Sequence, residues 1–162
     1  MIGLKLCPFA ESVYKSGRVR YRVSEHRSAI GLLDDLRAEL VFLNGQDAGA
    51  CETTLLIHPW ALNDYIEFND FLAVCERQIA DLGLDGELQI ASFHPQYRFA
   101  GTQPEDIENY TNHSPYPTLH VLREASIERA LASVPDPDEI YRRNIRTLGN
   151  LGHEGWRKLW SD

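Results

Sequence analysis

The sequence predicts a single α/β domain spanning residues 1–162, in which helices pack on a four-stranded sheet that is mainly parallel or mixed. Segments of strand character alternate with segments of helical periodicity between residues 18 and 93. The 162-residue chain has the length of one domain, and neither a repeat nor a linker divides it. Its composition, 43% apolar and 25% charged, is typical of a globular protein with a buried core.

The first strand is predicted at residues 18–25, where apolar and basic residues alternate. We expect one face to carry the apolar side chains Val19, Tyr21 and Val23, and the other face to carry Arg18, Arg20 and Arg22. The arginine face could bind an anionic ligand or an acidic partner. The alternative is that these charges only protect an edge strand from pairing with other chains.

Two helices and two strands follow. Apolar residues at helical spacing predict a helix from Ser28 to Leu43, which Asn44 and Gly45 end. The apolar centre of residues 53–59 predicts a strand buried on both faces. Asp64 and Glu67 have capping-box spacing at the start of the next helix, and residues 87–93 form the third strand. This order of elements favours crossover connections and a mainly parallel sheet.

Residues 94–117 interrupt this alternation, and we expect at most one short helix there, beginning at Thr102. A fourth strand at 118–122 and a helix at 124–132 follow, and a last helix begins at Asp136. Trp156 and Trp160 lie four residues apart in the tail, which predicts one further helical turn.

Charge and cysteine content exclude several functions. The chain has 16 basic and 24 acidic side chains, a formal net charge of −8, so the phosphates of nucleic acids would repel it. No segment has the apolar length of a signal peptide or a membrane span, and we expect a soluble cytoplasmic protein with no membrane partner. The three cysteines form neither a disulfide framework nor a C-x-x-C motif. Oligomeric state is left open.

Two histidines are the main candidates for chemistry. His58 follows the second strand and His94 follows the third, and each precedes a proline. If these strands run in the same direction, both imidazoles lie at the carboxyl edge of the sheet, where α/β proteins bind ligands. Histidine suits acid–base catalysis and metal ligation near neutral pH. The alternative is that each side chain only caps its strand by hydrogen bonding.

Cys7 is the third candidate catalytic residue, as a thiolate nucleophile. Together with His58 and His94 it could also hold a divalent metal that keeps one coordination position open. The sequence has no pair of candidate ligands at the short spacing typical of metal sites, and a free cysteine is ordinarily an inert, buried residue. The cofactor is therefore left open, with a divalent metal as the candidate.

The segment 93–117 is too aromatic to be disordered, and long irregular segments of compact domains are often functional. We expect it to fold over the histidine edge and to hold a small polar molecule. The candidate binding residues are Tyr97, Arg98, Asn109, Asn112, Ser114, His120 and Arg123. The asparagines could instead satisfy turn backbone, and Arg123 could bind an anionic group or form a surface ion pair.

Three motifs resemble an uncharacterised bacterial family, the domain of unknown function 1415. They are Leu6-Cys7-Pro8-Phe9-Ala10, Phe93-His94-Pro95-x-Tyr97-x-Phe99-Ala100-Gly101, and the longer pattern from Asn109 to Glu124. The likeness extends from about Leu4 to Gly149 and implies no activity, cofactor or catalytic residue. Members carry an amphipathic helix ahead of the first motif, so the resemblance implies that this helix is missing here, which would expose an apolar patch.

Two functions of different classes follow from these residues. The first is a small cytosolic enzyme acting on a small polar substrate, with His94 as acid–base residue or metal ligand and with His58 and Cys7 assisting. The second is a non-enzymatic module that binds a ligand or a protein through residues 93–117. A cleft with a perturbed histidine or a bound metal favours the first. A segment whose polar groups satisfy one another favours the second.

Overall fold

The structure, a computed structural model, describes residues 2–132 and 134–159. The strands are β1 (Val19–Val23), β2 (Thr53–Ile57), β3 (Leu88–Phe93) and β4 (Thr118–Arg123). The α-helices are α1 (Ala10–Lys15), α2 (Ala29–Asn44), α3 (Tyr65–Asp81), α4 (Glu124–Ala132) and α5 (Asp138–Lys158), and a 3-10 helix spans Ile107–Asn112. Trp160, for which the sequence predicts a helical turn, lies outside the described residues.

The four strands form one mixed sheet in the order β1-β2-β4-β3, which confirms the predicted α/β fold class. β1 and β2 are parallel, whereas β4 is antiparallel to both β2 and β3. Parallel pairing is therefore limited to one strand pair. The reason lies in residues 94–117, which return the chain at the same edge where β3 ends, so that β4 must run in the opposite direction.

The main core lies between the sheet and the helices α2 and α3. Leucines at helical spacing give α2 its buried face, and aromatic residues dominate the buried face of α3. The fully buried members are Leu32, Leu36, Leu40, Leu43, Leu56, Phe68, Leu119 and Val121. Each such side chain contributes about 1.5–3 kcal/mol relative to an exposed one. This core holds α2 and α3 on a single face of the sheet.

The predicted helix starts are confirmed. The Ser28 hydroxyl accepts a hydrogen bond from the Gly31 amide at 3.2 Å. The Asp64 carboxylate accepts from the amides of Ile66 and Glu67 at 2.9 and 3.1 Å. These bonds satisfy donors that the first helical turn leaves without partners, and each contributes about 1 kcal/mol.

The three arginines predicted for one face of β1 have different environments. Arg20 points towards α2, where its guanidinium forms two hydrogen bonds, of 2.7 and 3.0 Å, with the buried Glu39 carboxylate. The same guanidinium lies 4.2 Å above the centre of the Phe42 ring. Tyr21 and Val23 are 56% and 46% exposed on β1. A buried carboxylate on α2 thus holds Arg20 inward, whereas Arg22 is exposed and Arg18 pairs with Glu52.

The second face of the sheet meets the N-terminal segment, α1, α4 and the end of α5. Leu6, Leu148 and Trp156 form a small separate cluster there. The Asn144 amide donates to the Leu6 carbonyl at 2.8 Å, which holds the N-terminal segment on α5. At Gly152, α5 bends through a φ of 65°, a conformation that glycine adopts without strain. This bend directs Trp156 towards Tyr110.

None of the helices in residues 2–132 and 134–159 has both the length and the hydropathy of a membrane span. The three cysteines are free: Cys51 and Cys75 are buried, and Cys7 is half-buried. Burial raises the pKa of the Cys75 thiol to about 12, so this thiol stays protonated and has a structural role in the buried face of α3.

Replacing Arg20 with Met should lower the free energy of unfolding by about 2 kcal/mol, because the buried Glu39 carboxylate would lose its partner. Arg22→Met, two residues away on the same strand and exposed, is the matched control and should stay within about 0.5 kcal/mol. Urea denaturation measures both values. Equal stability of the two variants would contradict the inward position of Arg20 and its pairing with Glu39.

Candidate functional site

His58 and His94 lie at one edge of the sheet, as the sequence predicts. β2 and β3 run in the same direction because each is antiparallel to β4, which lies between them. Both imidazoles pack on the ring of Phe68, with centroid distances of 5.6 Å for His58 and 5.0 Å for His94. Both side chains are fully buried. The edge therefore contains two neighbouring histidines beneath the protein surface rather than in an open cleft.

Hydrogen bonds explain the positions of both rings. His58 Nδ1 donates to the Ala61 carbonyl at 2.9 Å. His94 Nδ1 accepts from the Gln96 amide at 3.0 Å, so its Nε2 carries the proton and donates to the Leu62 carbonyl at 3.3 Å. Burial lowers the pKa of His58 to about 4 and also lowers the pKa of His94. Both rings are thus neutral at pH 7 and hold the turns after β2 and β3.

Cys7 is not brought to this edge. It lies in the N-terminal segment on the second face of the sheet and lines a cavity to which neither His58 nor His94 contributes. Across the described part of the chain, no three His, Cys, Asp or Glu residues are grouped so as to hold a metal ion. The three candidate metal ligands therefore do not form a common site.

Asn109 organises the segment that follows His94. Its side chain is fully buried, and Oδ1 accepts from the Phe99 amide at 3.0 Å and from the Thr102 hydroxyl at 2.8 Å. Its Nδ2 donates to the Gln103 carbonyl at 2.7 Å. The helix start predicted at Thr102 is wrong, because this hydroxyl closes the turn and the 3-10 helix begins only at Ile107.

The other predicted binding residues of the segment are also bonded within the protein. Asn112 Nδ2 donates to the Ser92 carbonyl at 3.0 Å, and the Ser114 hydroxyl donates to the Tyr116 carbonyl at 2.6 Å. Tyr97 packs against the rings of Tyr65 and Phe99, and burial raises the pKa of its phenol. The Arg98 guanidinium lies 5.5 Å from the centre of the Tyr65 ring. Most polar side chains of this segment are therefore bonded within the protein, and the exception is the Thr111 hydroxyl, which is buried without a partner.

Arg123 has a structural role that the sequence did not indicate. Its Nη2 donates to the carbonyls of Leu43, Gln46 and Cys51 at 2.7, 2.7 and 3.1 Å. Leu43 lies in the last turn of α2, so the guanidinium compensates the negative end of that helix. Its Nε is buried and has no hydrogen-bond partner.

A cavity of about 720 Å³ lies between the second face of the sheet and the segments that cover it. Its floor consists of the residues that alternate with the core positions of β1, β2 and β4. These floor residues are Val19, Tyr21, Thr53, Leu55, Ile57, His120 and Leu122. Of the residues predicted from the sequence, Cys7, Ser114, His120 and Arg123 line this cavity.

His120 is the central polar group of the floor. The Thr53 hydroxyl donates to the Val121 carbonyl, so Thr53 accepts from His120 Nε2, at 2.8 Å. Burial lowers the pKa of His120 to about 4, and the neutral ring keeps Nδ1 as a hydrogen-bond acceptor. A second histidine, His113, donates from Nε2 to the Tyr97 carbonyl and stacks on Tyr110 at 4.2 Å.

Sequence reasoning did not identify Thr53, Leu55, His113 or Trp156 as lining one cavity. The available signal is the difference between the two faces of β2, where Thr54 and Leu56 are fully buried and Leu55 is only half-buried. Residues 53–57 are apolar enough on both faces to conceal this difference.

Comparison with protein families now adds a finding to this geometry. The model of a family described as protein of unknown function (DUF1415) matches residues 1–158. The chain belongs to this family. Neither the search of curated proteins nor that of solved structures returned a significant match.

His94→Ala should lower the free energy of unfolding by about 2–4 kcal/mol, because it removes a fully buried ring and two hydrogen bonds to backbone. His26→Ala, at an exposed position, is the control and should change stability by at most about 0.5 kcal/mol. Thermal or urea unfolding measures the difference. An unchanged stability for His94→Ala would argue against the strand-capping role.

Stability should fall as the pH is lowered from 6.5 towards 4. The pKa values of His58 and His120 are lowered from 6.5 to about 4, so in this range the unfolded chain binds protons that the folded chain does not. Each of these histidines contributes about 1.4 kcal/mol per pH unit to the slope. His58→Asn keeps a donor for the Ala61 carbonyl and should reduce the slope below that of the unmodified protein. A slope equal to that of the unmodified protein would contradict this linkage.

Proposed function

We propose that this protein is a ligand-binding module whose cavity on the second face of the sheet takes a small, largely apolar molecule. The observation that carries the proposal is the cavity itself. Its volume of about 720 Å³ falls in the range of natural small-molecule sites, and its walls combine many apolar side chains with a few polar ones.

The packing around the cavity supports this proposal. The cavity opens to solvent, since Tyr14 and Tyr21, which line it, are exposed, so a ligand can enter it. Here the main core and the small cluster of Leu6, Leu148 and Trp156 form separate units. The cavity lies between the sheet and the segments that include Leu6 and Trp156. An apolar ligand in this space would join the two units through contacts with both walls.

The polar groups of the cavity can form hydrogen bonds with a bound ligand. His120 is held by Thr53, and its Nδ1 can accept a hydrogen bond from a ligand. The segment 93–117 contributes one end wall through Phe93, Thr111 and His113. The Thr111 hydroxyl is buried without a partner, which leaves a hydrogen bond for a ligand to complete.

The other function considered, an enzyme acting on a small polar substrate at His94, lacks comparable support. His94 is fully buried, and its two ring nitrogens hydrogen bond to backbone groups of the turns beside it. A general acid or base must reach the proton that it transfers, directly or through one water. The binding module is therefore the function that the geometry favours.

Filling the cavity tests the proposal. Leu55→Trp places a large ring in the floor and should abolish binding of the neutral apolar dye Nile red, measured by its fluorescence increase. Val41→Trp adds the same ring at an exposed position of α2, outside the cavity. This variant should bind the dye like the unmodified protein. Thermal unfolding checks that both variants are folded. Undiminished binding by a folded Leu55→Trp variant would refute the assigned site.

A further inference from the structure

The cavity is electrically polarised along the strands. Four charged residues line it: Arg18, Glu52, Arg123 and Arg129. Arg18 directly precedes β1, Glu52 directly precedes β2, and Arg123 is the last residue of the antiparallel β4, so these three lie at one end of the sheet. Arg129 belongs to α4, which begins at that same end.

This end carries an excess of positive charge. Glu52 pairs with Arg18 through a contact of 2.9 Å, and this pair is nearly neutral as a unit. Arg123 donates from Nη2 to three carbonyl groups, which offsets only part of its positive charge, and the described residues give it no carboxylate partner. Arg129 donates to the neutral Ser126 hydroxyl at 2.9 Å. Among the charged side chains that line the cavity, Arg123 and Arg129 thus make this end positive, in a chain whose net charge is −8.

The opposite end of the cavity is uncharged. The last residues of β2 and β3, Ile57 and Phe93, lie there with Thr118, the first residue of β4. His113 completes this end, and burial lowers the pKa of its ring, so the imidazole is neutral at pH 7. The cavity thus runs from a cationic end to an apolar, aromatic end.

We infer that the ligand is a free amphipathic acid, which lies along the strands with its acidic group near Arg123 and Arg129 and its apolar body near Ile57 and Phe93. The inference rests on the proposed ligand-binding function and specifies its ligand class. A carboxylate oxygen can accept from the exposed guanidinium of Arg129, and charge-assisted bonds of this kind are stronger than neutral ones. The apolar walls favour an uncharged chain or ring for the remainder of the molecule.

Displacement of Nile red by three molecules that differ only in the head group tests the inference. Decanoate, below its micelle concentration, should displace the dye at a concentration roughly tenfold lower than decanol, because charged groups strengthen hydrogen bonds. Decylammonium should be the weakest competitor, since it meets like charge. Added salt should weaken the binding of decanoate by screening its charge and should leave the binding of decanol unchanged.

Two variants assign the preference to this end of the cavity. Arg129→Gln should weaken the binding of decanoate roughly two- to fivefold and leave the binding of decanol unchanged, since an exposed charge contributes little more than this. Arg37→Gln makes the same charge change at an exposed position of α2, on the opposite face of the sheet, and should leave the displacement by decanoate unchanged. Glu52→Gln removes the carboxylate that neutralises Arg18 and should strengthen the binding of decanoate.

The outcomes separate the two proposals. Dye binding together with equal displacement by decanoate and decanol would overturn the acidic ligand and retain the binding function. Arg129→Gln and Arg37→Gln with the same decanoate displacement would also overturn the inference. A protein that binds neither Nile red nor any of the three molecules would refute both proposals.

Discussion

The position of α2 and α3 on a single face of the sheet is the constraint on which the rest of this structure depends. The apolar faces of both helices meet the same side of β2, β3 and β4, and together they form the main core. The opposite side must then be covered by what remains of the chain: the N-terminal segment, α1, α4 and the end of α5. Those segments bury only a small cluster of their own, and the cavity lies between them and the sheet.

Local signals in the sequence predicted much of the main core, because they depend only on neighbouring residues. Helical spacing and the caps Ser28 and Asp64 identified α2 and α3. The sequence could not predict that β4 would lie between β2 and β3, since strand order is decided by long-range packing. The two histidines are neighbours all the same, because an antiparallel strand between β2 and β3 leaves those two strands pointing in one direction.

Alternation along a strand distinguishes two faces but does not say which of them meets the core. In β1 the sequence predicts an apolar face and a basic face, and Arg20 of the basic face turns inward because Glu39 on α2 supplies a buried carboxylate partner. A charged side chain can enter an interior when it is paired and hydrogen-bonded. The pair depends on a residue in another element, and no pattern within β1 reveals it. The same limitation hid the cavity floor in β2.

The polar residues singled out from the sequence fall into two groups when their hydrogen bonds are compared. His94, Asn109 and Asn112 bond to the backbone of nearby turns, so they are explained by the need to satisfy buried polar groups. His120 and Arg123 also have structural bonds, but each lines the cavity and keeps a ring or guanidinium nitrogen that no described bond uses. A buried donor without a partner, such as Arg123 Nε, is costly, whereas His94, Asn109 and Asn112 have no such deficit. His58 at the histidine edge also has a buried nitrogen without a partner, Nε2. The cavity, rather than the number of unpartnered groups, therefore distinguishes the second face of the sheet.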